Sequence, residues 1–192
     1  MFNDTIGNLP AGYTDIQTAS QEMGFSMPSD LQTGALLKTL AGAKPQATVL
    51  EIGTGTGLAT AWLLAGMSAE ATLISVDNEP MYQAVAARVL GHDARLQLVC
   101  ADAGSWLETN QEQSFDLIFA DAWPGKYANL NATLNLLKTG GFYVIDDMLP
   151  QPNWPDGHGG NVDKLVADLE SRADLRLVKL AWSTGILIAT KK

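Results

Sequence analysis

The segment Val49-Leu50-Glu51-Ile52-Gly53-Thr54-Gly55-Thr56-Gly57 decides the fold. An apolar, β-branched run ends at an acidic residue and passes into three alternating glycines. Leu58 to Leu64 then place apolar residues at helical spacing. The pattern predicts a strand, a tight turn and a helix N-terminus. Glycines there admit positive φ and close approach of a ligand to the backbone. The helix start offers N–H groups without intrahelical partners to polar or anionic ligand atoms.

Two kinds of ligand suit such a turn. A dinucleotide fingerprint needs Gly-x-Gly-x-x-Gly; counted from Gly53, its third glycine falls on Leu58. The observed order, Glu-x-Gly-x-Gly-x-Gly, instead resembles the first motif of class I S-adenosylmethionine-dependent methyltransferases. That resemblance implies that Glu51, Gly53, Thr54, Gly55 and Gly57 hold the amino-acid part of the cofactor. Asp77 ends the next apolar run, Ala71 to Val76, 24 positions after Gly53. This is the separation of one βαβ unit, and a carboxylate there can accept from both ribose hydroxyls, with Asn78 beside it. Asp77 alone leaves a nicotinamide dinucleotide open, and an oxidoreductase with it. The glycine spacing favours the methyl donor.

A chain of 192 residues with 46% hydrophobic and 17% charged residues is expected to form one globular domain over 1–192. Its net charge of −9 disfavours nucleic-acid partners, which need clustered Lys and Arg to displace counterions. A small-molecule acceptor is the expectation. The single cysteine, Cys100, excludes an intrachain disulfide and suits a reducing cytoplasm; its apolar run predicts a buried strand thiol. No apolar run reaches the ~18 residues of a membrane span, and no basic stretch followed by an apolar core opens the sequence. A cytoplasmic location without membrane association is therefore expected.

Residues 1–30, broken by Gly7, Pro10, Gly12, Gly24 and Pro28, read as an N-terminal arm or lid, with a helix over Tyr13 to Met23. From Leu31 the pattern becomes regular. A helix is expected over Leu31 to Leu40, and strands over 47–52, 71–76, 95–100, 115–120 and 141–146. Helical segments lie between them at 57–67, 79–90, a short turn at 103–109, and 127–138; another follows at 161–172. Such alternation predicts a parallel sheet covered on both faces. Leu175 to Trp182 and Gly185 to Thr190 are separated only by Ser183-Thr184, too few residues for a crossover, so this terminal pair must be antiparallel. The expected architecture is the α/β, Rossmann-like seven-stranded class I methyltransferase sheet, mostly parallel with an antiparallel C-terminal hairpin.

Strands of such a sheet present their carboxyl ends to ligands. Asp102 follows the third strand; the methyltransferase resemblance assigns it to the adenine amino group and the Ala103 N–H to a ring nitrogen, while Asp102 also suits a helix N-cap. Asp121 ends the fourth strand, where it also suits a catalytic or a cofactor-binding role, and Asp146 and Asp147 end the fifth, where they also suit caps of the following loop. Three carboxylates at one place repel unless something positive lies between them. An all-oxygen cluster suits Mg²⁺, or Mn²⁺ or Ca²⁺, and such an ion would acidify a substrate hydroxyl.

From about Met27 onward the chain resembles the cation-dependent O-methyltransferases of the catechol and caffeoyl-CoA type. The likeness lies in Met27 to Leu40, the glycine motif, Phe115-Asp116-x-x-Phe119-x-Asp121 with Tyr127 following, and Gly140-Gly141 leading to the acidic pair. It implies a metal on Asp121, Asp146 and Asp147, with Asp147 standing where the family has Asn, an acceptor hydroxyl as methyl target, and a homodimer. One departure matters. The family's catalytic lysine comes three residues after the first Asp, where this chain has Pro124. Lys126, two residues on, is a candidate replacement, although a lysine in a loop is ordinarily at the surface. His158, in the Pro- and Gly-rich stretch Met148 to Gly160, is the other candidate base, with Trp123 and Trp154 as candidate pocket walls. A metal-free methyltransferase and a non-catalytic cofactor-binding module are the remaining alternatives.

Overall fold

The computed structural model describes residues 3–192. Its strands are β1 (Thr48–Ile52), β2 (Thr72–Asp77), β3 (Leu96–Cys100), β4 (Phe115–Ala120), β5 (Leu137–Ile145), β6 (Leu175–Leu180) and β7 (Ile186–Lys191). Its helices are α1 (Tyr13–Glu22), α2 (Leu31–Ala41), α3 (Leu58–Gly66), α4 (Pro80–Leu90), α5 (Ala103–Thr109), α6 (Leu130–Asn135) and α7 (Gly159–Ser171). The strands form one seven-stranded sheet in the order β3-β2-β1-β4-β5-β7-β6. β1 to β5 pair in parallel, and β7 runs antiparallel to both β5 and β6. The expected sheet is thus observed.

Period-two alternation in the strands builds a core on each face of the sheet. Val49, Leu73, Leu117, Phe119 and Val144 pack under α1 to α4. Leu50, Ile52, Val76, Ile118, Tyr143 and Ile145 pack under α5 to α7. α1 belongs to the first layer, since Tyr13 and Ile16 are buried beside Leu37 and Trp62. The stretch expected to be an arm is therefore part of the core along this helix. Gly34 and Gly66 allow α2 and α3 to approach closely: a Cβ on Gly34 would lie 2.2 Å from the Trp62 indole, and one on Gly66 2.0 Å from Lys38 O. Among the described residues no helix is long and apolar enough to cross a membrane.

Three expectations need correction. The helix expected at 127–138 is reduced to α6, because residues 123–128 fold back on themselves through Tyr127 N–H to Trp123 O at 3.0 Å and Gly125 N–H to Ala128 O at 2.8 Å. Asn129, at φ 56, then starts the helix. β5 begins four residues early, at Leu137, and its register with β4 breaks between Phe115 and Leu117. Cys100 is exposed, because β3 is an edge strand with only one neighbour; an apolar run alone does not distinguish edge from centre.

At the end of the sheet away from the glycine loop, one carboxylate ties three segments together. Asp116, 8% exposed, accepts from the Thr48 N–H at 2.9 Å, the Thr48 hydroxyl at 3.0 Å and the Lys138 ammonium at 2.9 Å. Lys44 pairs with its other oxygen. Burial pushes this carboxyl up, but Lys44, the Thr48 N–H and Lys138 outweigh burial and hold it well below the usual carboxylate range. Substituting Asp116 with Ala leaves a buried N–H and two ammonium groups short of a partner, and should cost about 2–3 kcal/mol in urea unfolding at pH 7. A group with a depressed folded pKa stabilises above its unfolded value, about 4, and loses that contribution as pH falls. The gap between wild type and Asp116→Asn should accordingly narrow on acidification.

Candidate active site

The strand order reverses direction beside β1, where β2 and β4 leave on opposite sides. Connections diverge there and open a crevice above the strand ends. The glycine loop sits in it. Gly53 donates its N–H to Val76 O at 2.9 Å, and Asp121 donates its own to Ile52 O at 2.9 Å. Gly53 has φ 101, and a Cβ on it would meet Asp121 O at 3.0 Å, so only glycine fits without strain.

One cavity of about 340 Å³ opens over this loop. Gly53, Thr54, Gly55, Thr56, Asp77, Asn78, Tyr82, Asp121 and Trp123 are among its walls, and Phe25 and Met27 reach it from the N-terminal segment. A smaller cavity of about 70 Å³ adjoins it, between Gly53, Asp77 and Asn78 on one side and Asp102, Ala103 and Pro124 on the other. The two share Gly53, Asp77, Asn78 and Ala122. Asp77 binds the loop it faces: its carboxylate accepts from the Gly55 N–H at 2.7 Å and the Glu79 N–H at 2.8 Å. Asp102 caps α5 through the Ser105 N–H at 2.8 Å; it is at once an N-cap and a cavity wall.

Glu51 and Gly57 lie elsewhere. Gly57, at φ 101, is the residue before α3 and abuts Ala86 of α4. Glu51 is 0% exposed and borders neither cavity. Its Oε2 accepts from the hydroxyls of Thr60 at 2.6 Å and Ser75 at 2.5 Å. Direct contact of Glu51 with a ligand in the cavity is not what this placement offers. The motif's spacing located the loop, whereas the inward turn of the β1 side chain at this position was not legible from it.

A second cavity, about 280 Å³, lies on the other side of Asp121. It is lined by Asp121, Asp146, Asp147 and Thr184, and roofed by Ser26 to Ser29 and Gln151 to Asn153. The first and second cavities share Met27, Pro28, Ser29 and Asp121. Ser29 donates to Asp121 Oδ2 at 3.2 Å. The sequence had singled out neither Ser29 nor Thr184, whose hydroxyl binds Asp146. Thr184 lies 38 positions from Asp146, in a hairpin turn, and no local signal links the two.

Lys126 is not at the surface. It is 4% exposed, donates to the backbone oxygen of Asp146 at 2.9 Å and stands 3.6 Å from Asp121 Oδ1. The loop from Trp123 to Ala128 folds it inward. Burial pushes the Asp121 carboxyl well above the usual range, against Lys126; Asp146 and Asp147 add to the rise. Burial likewise raises Asp146 to about 6.

The donor chemistry of these carboxylates suits a hard cation, but their placement does not. Among the described residues no three histidine, cysteine or acidic side chains are set to hold a metal ion. Asp146 Oδ1 is taken by the Asp147 N–H at 2.7 Å and by Thr184, and Asp147 sits in the left-handed region at φ 59. The positive charge beside Asp121 is the Lys126 ammonium. The metal centre expected from Asp121, Asp146 and Asp147 is thus not assembled in this arrangement.

His158 stands away from both cavities. Its Nε2 lies 3.1 Å from the Tyr127 hydroxyl. Its ring packs 4.5 Å from that of Trp154 and 5.7 Å from that of Trp123. Of the two tryptophans, Trp123 walls the first cavity and Trp154 neither. His158 therefore joins the 148–158 loop to the 123–127 loop, with Asp147 as the carboxylate within reach of its charge. Gly53→Ala should weaken S-adenosylhomocysteine binding about tenfold or more in calorimetry, from the cost of a left-handed non-glycine residue plus the contact with Asp121; unchanged affinity would remove the loop from the binding surface.

The methyltransferase domain family matches residues 50–148, from β1 to just beyond the acidic pair. A Mycobacteroides abscessus protein named "Putative O-methyltransferase" is 30% identical over 193 residues, covering 92% of this chain and 88% of that protein. A relative of the same name from Mycobacterium sp. (strain KMS) is 32% identical over 138 residues, which is 68% of this chain and 63% of the relative, so here the match spans under two thirds of its length. The crystal structure of the O-methyltransferase from Bacillus cereus in complex with SAH superposes with a TM-score of 0.84 at 17% identity, covering 98% of this chain and 94% of that one. The structural likeness speaks for the fold. The sequence likeness, carried through nearly the whole chain, speaks for kinship: this chain belongs to the class I S-adenosylmethionine-dependent O-methyltransferases.

Proposed function

We propose that the chain methylates a hydroxyl oxygen of a small molecule held in the acidic cavity, with the cofactor in the cavity above the glycine loop. The observation that carries this reading is the wall the two cavities share, Met27, Pro28, Ser29 and Asp121. A donor in one cavity and an acceptor in the other would meet across Asp121, where positioning alone lowers the barrier to transfer. The first cavity fits the cofactor's amino-acid and ribose parts, with Asp77 and Asn78 for the ribose hydroxyls. The adjoining small cavity, with Asp102 and Ala103, suits the adenine. S-adenosylmethionine supplies, when bound, an electrophilic methyl group on sulfur.

The chain's own residues then have separable tasks. Asp121 faces both cavities and is placed to accept the acceptor's hydroxyl proton. Ser29 orients that carboxylate. Lys126 fixes the turn after β4 to the end of β5 and balances the charge on Asp121. Tyr127 and His158 hold the roof loop. Trp123 shields the first cavity from solvent.

A second reading adds a divalent cation. It is favoured by the three carboxylates of the acidic cavity facing one buried lysine, and it requires Asp121, Asp146 and Asp147 to draw closer than they stand. The two readings differ in a titration of Mg²⁺ and Mn²⁺ into protein saturated with S-adenosylhomocysteine. The lysine-balanced site predicts no saturable binding and turnover that persists in a chelator. Saturable binding lost in both Asp121→Ala and Asp146→Ala would instead establish the cation.

Transfer itself is tested with methyl-labelled S-adenosylmethionine against a panel of small hydroxyl compounds. Asp121→Asn should lower kcat at least about a hundredfold, the scale of general-base catalysis, while S-adenosylhomocysteine affinity changes little. Equal loss in affinity and kcat would make Asp121 a cofactor ligand only.

A further inference from the structure

Beneath the cofactor cavity lies a buried polar chain that the transfer step does not use. Its end is Glu51, 0% exposed, with Thr60 and Ser75 also at 0%, Thr54 at 4% and Gln83 at 6%. Proton counting fixes its direction. Ser75 has one proton and gives it to Glu51 Oε2. The hydroxyl of Thr54, 2.6 Å from that of Ser75, must therefore be the donor of that pair. Thr54, its proton spent, accepts from Gln83 Nε2 at 3.1 Å. Gln83 sends a second hydrogen to Val99 O at 3.1 Å. The chain thus runs from α4 through the glycine loop and β2 to a single carboxyl on β1. Thr54, its middle link, is also a wall of the cofactor cavity.

The carboxyl is the weak point of this chain. Glu51 Oε1 is buried and has no hydrogen-bond partner. Of the ionisable groups on the elements around it, Asp77 at the end of β2 adds a like charge. Asp116 lies at the far end of β4, paired with Lys44 and Lys138. Asp121, after β4, faces Lys126; Tyr82 of α4 faces the cavity; and Glu79 and Arg88, before and on α4, are exposed. No lysine, arginine or histidine pairs with Glu51 among the described residues. An ionised Glu51 accepts strongly from Ser75 and Thr60 and aligns every hydroxyl toward itself. A protonated one is a weaker acceptor; an O–H on Oε1 faces no acceptor, and one on Oε2 turns the Ser75 or Thr60 hydroxyl away from the carboxyl.

We propose that Glu51 is a positioning residue for the cofactor: its ionised carboxylate, acting through Ser75 and Thr54, holds the glycine loop in its binding shape, and protonation loosens that hold. The inference rests on the cofactor site proposed above. It makes the loop sensitive to pH in the neutral range, because burial, opposed by Ser75 and Thr60 and reinforced by Asp77, lifts this carboxyl to about 7. Cofactor binding, which needs the ordered loop, pulls the carboxyl toward its ionised form and releases its proton.

The test is calorimetric titration of S-adenosylhomocysteine from pH 5.5 to 8.5, in two buffers of different ionisation enthalpy, for wild type, Glu51→Gln and Ser75→Ala. The wild type should bind about fivefold more tightly at pH 8 than at pH 6, the change that a one-unit drop in the carboxyl's pKa on binding gives across this range, with proton release centred in that range. Glu51→Gln should bind at every pH as the wild type does at low pH, and exchange no proton. Ser75→Ala, which keeps the carboxyl but cuts its link to Thr54, should bind weakly with a flattened profile. It serves in place of Glu51→Gln if that variant does not fold. An unchanged pH dependence in both variants would overturn the proposal, as would wild-type affinity that is flat or falls with rising pH. Failure of the wild type to bind at any pH would overturn the cofactor site as well.

Discussion

Everything at this site depends on β1 and β4 lying side by side. Their parallel pairing, Ile52 against Ala120, brings the first residue after each strand, Gly53 and Asp121, into backbone contact. One residue begins the glycine loop that lines the first cavity; the other is the carboxylate between the two cavities. No side chain intervenes, because a Cβ on Gly53 would already touch Asp121 O. The separation of the glycine loop from the carboxylate between the cavities is therefore set by the inter-strand spacing of a sheet.

The acidic cavity is governed by charge rather than by backbone. Three carboxylates line it, and one buried ammonium, that of Lys126, stands beside Asp121 and the Asp146 backbone. Lys126 gets there because Gly125, at φ 88, lets the chain turn back after Pro124. Lys126, two places beyond where the family resemblance expects a lysine, still reaches Asp121 and the end of β5 by this turn. The amine reaches the backbone oxygen of Asp146, so the ends of β4 and β5 are held by the same group that offsets their charge.

Most of the fold was legible because its signals are local. Alternation marked the central strands, Asp102 marked a helix start, and two residues between Leu175–Trp182 and Gly185–Thr190 forced an antiparallel pair. The glycine motif and Asp77 pointed to one cavity for the same reason: they lie on consecutive strands. What escaped was non-local. Nothing near Lys126 announces that its loop turns inward, and nothing near Thr184 announces Asp146. The exposure of Cys100 depends on its strand being outermost, a property of sheet order that no stretch of β3 encodes. His158 had the chemistry of a base, but its surroundings, Tyr127, Trp123 and Trp154, come from two loops whose meeting the sequence does not record.

The Asp116 cluster has a meaning for how such a protein can change. Lys44, Thr48 and Lys138 fasten the lower ends of β1, β4 and β5, at the pole opposite the cavities. This anchor stands apart from the cavities and does not involve the loops at 122–127 and 148–158. Those loops can exchange residues, lengthen or shorten while the strands beneath them stay in register. A lineage built this way can reshape the acidic cavity through the 148–158 loop, which borders neither the first cavity nor the small one beside it.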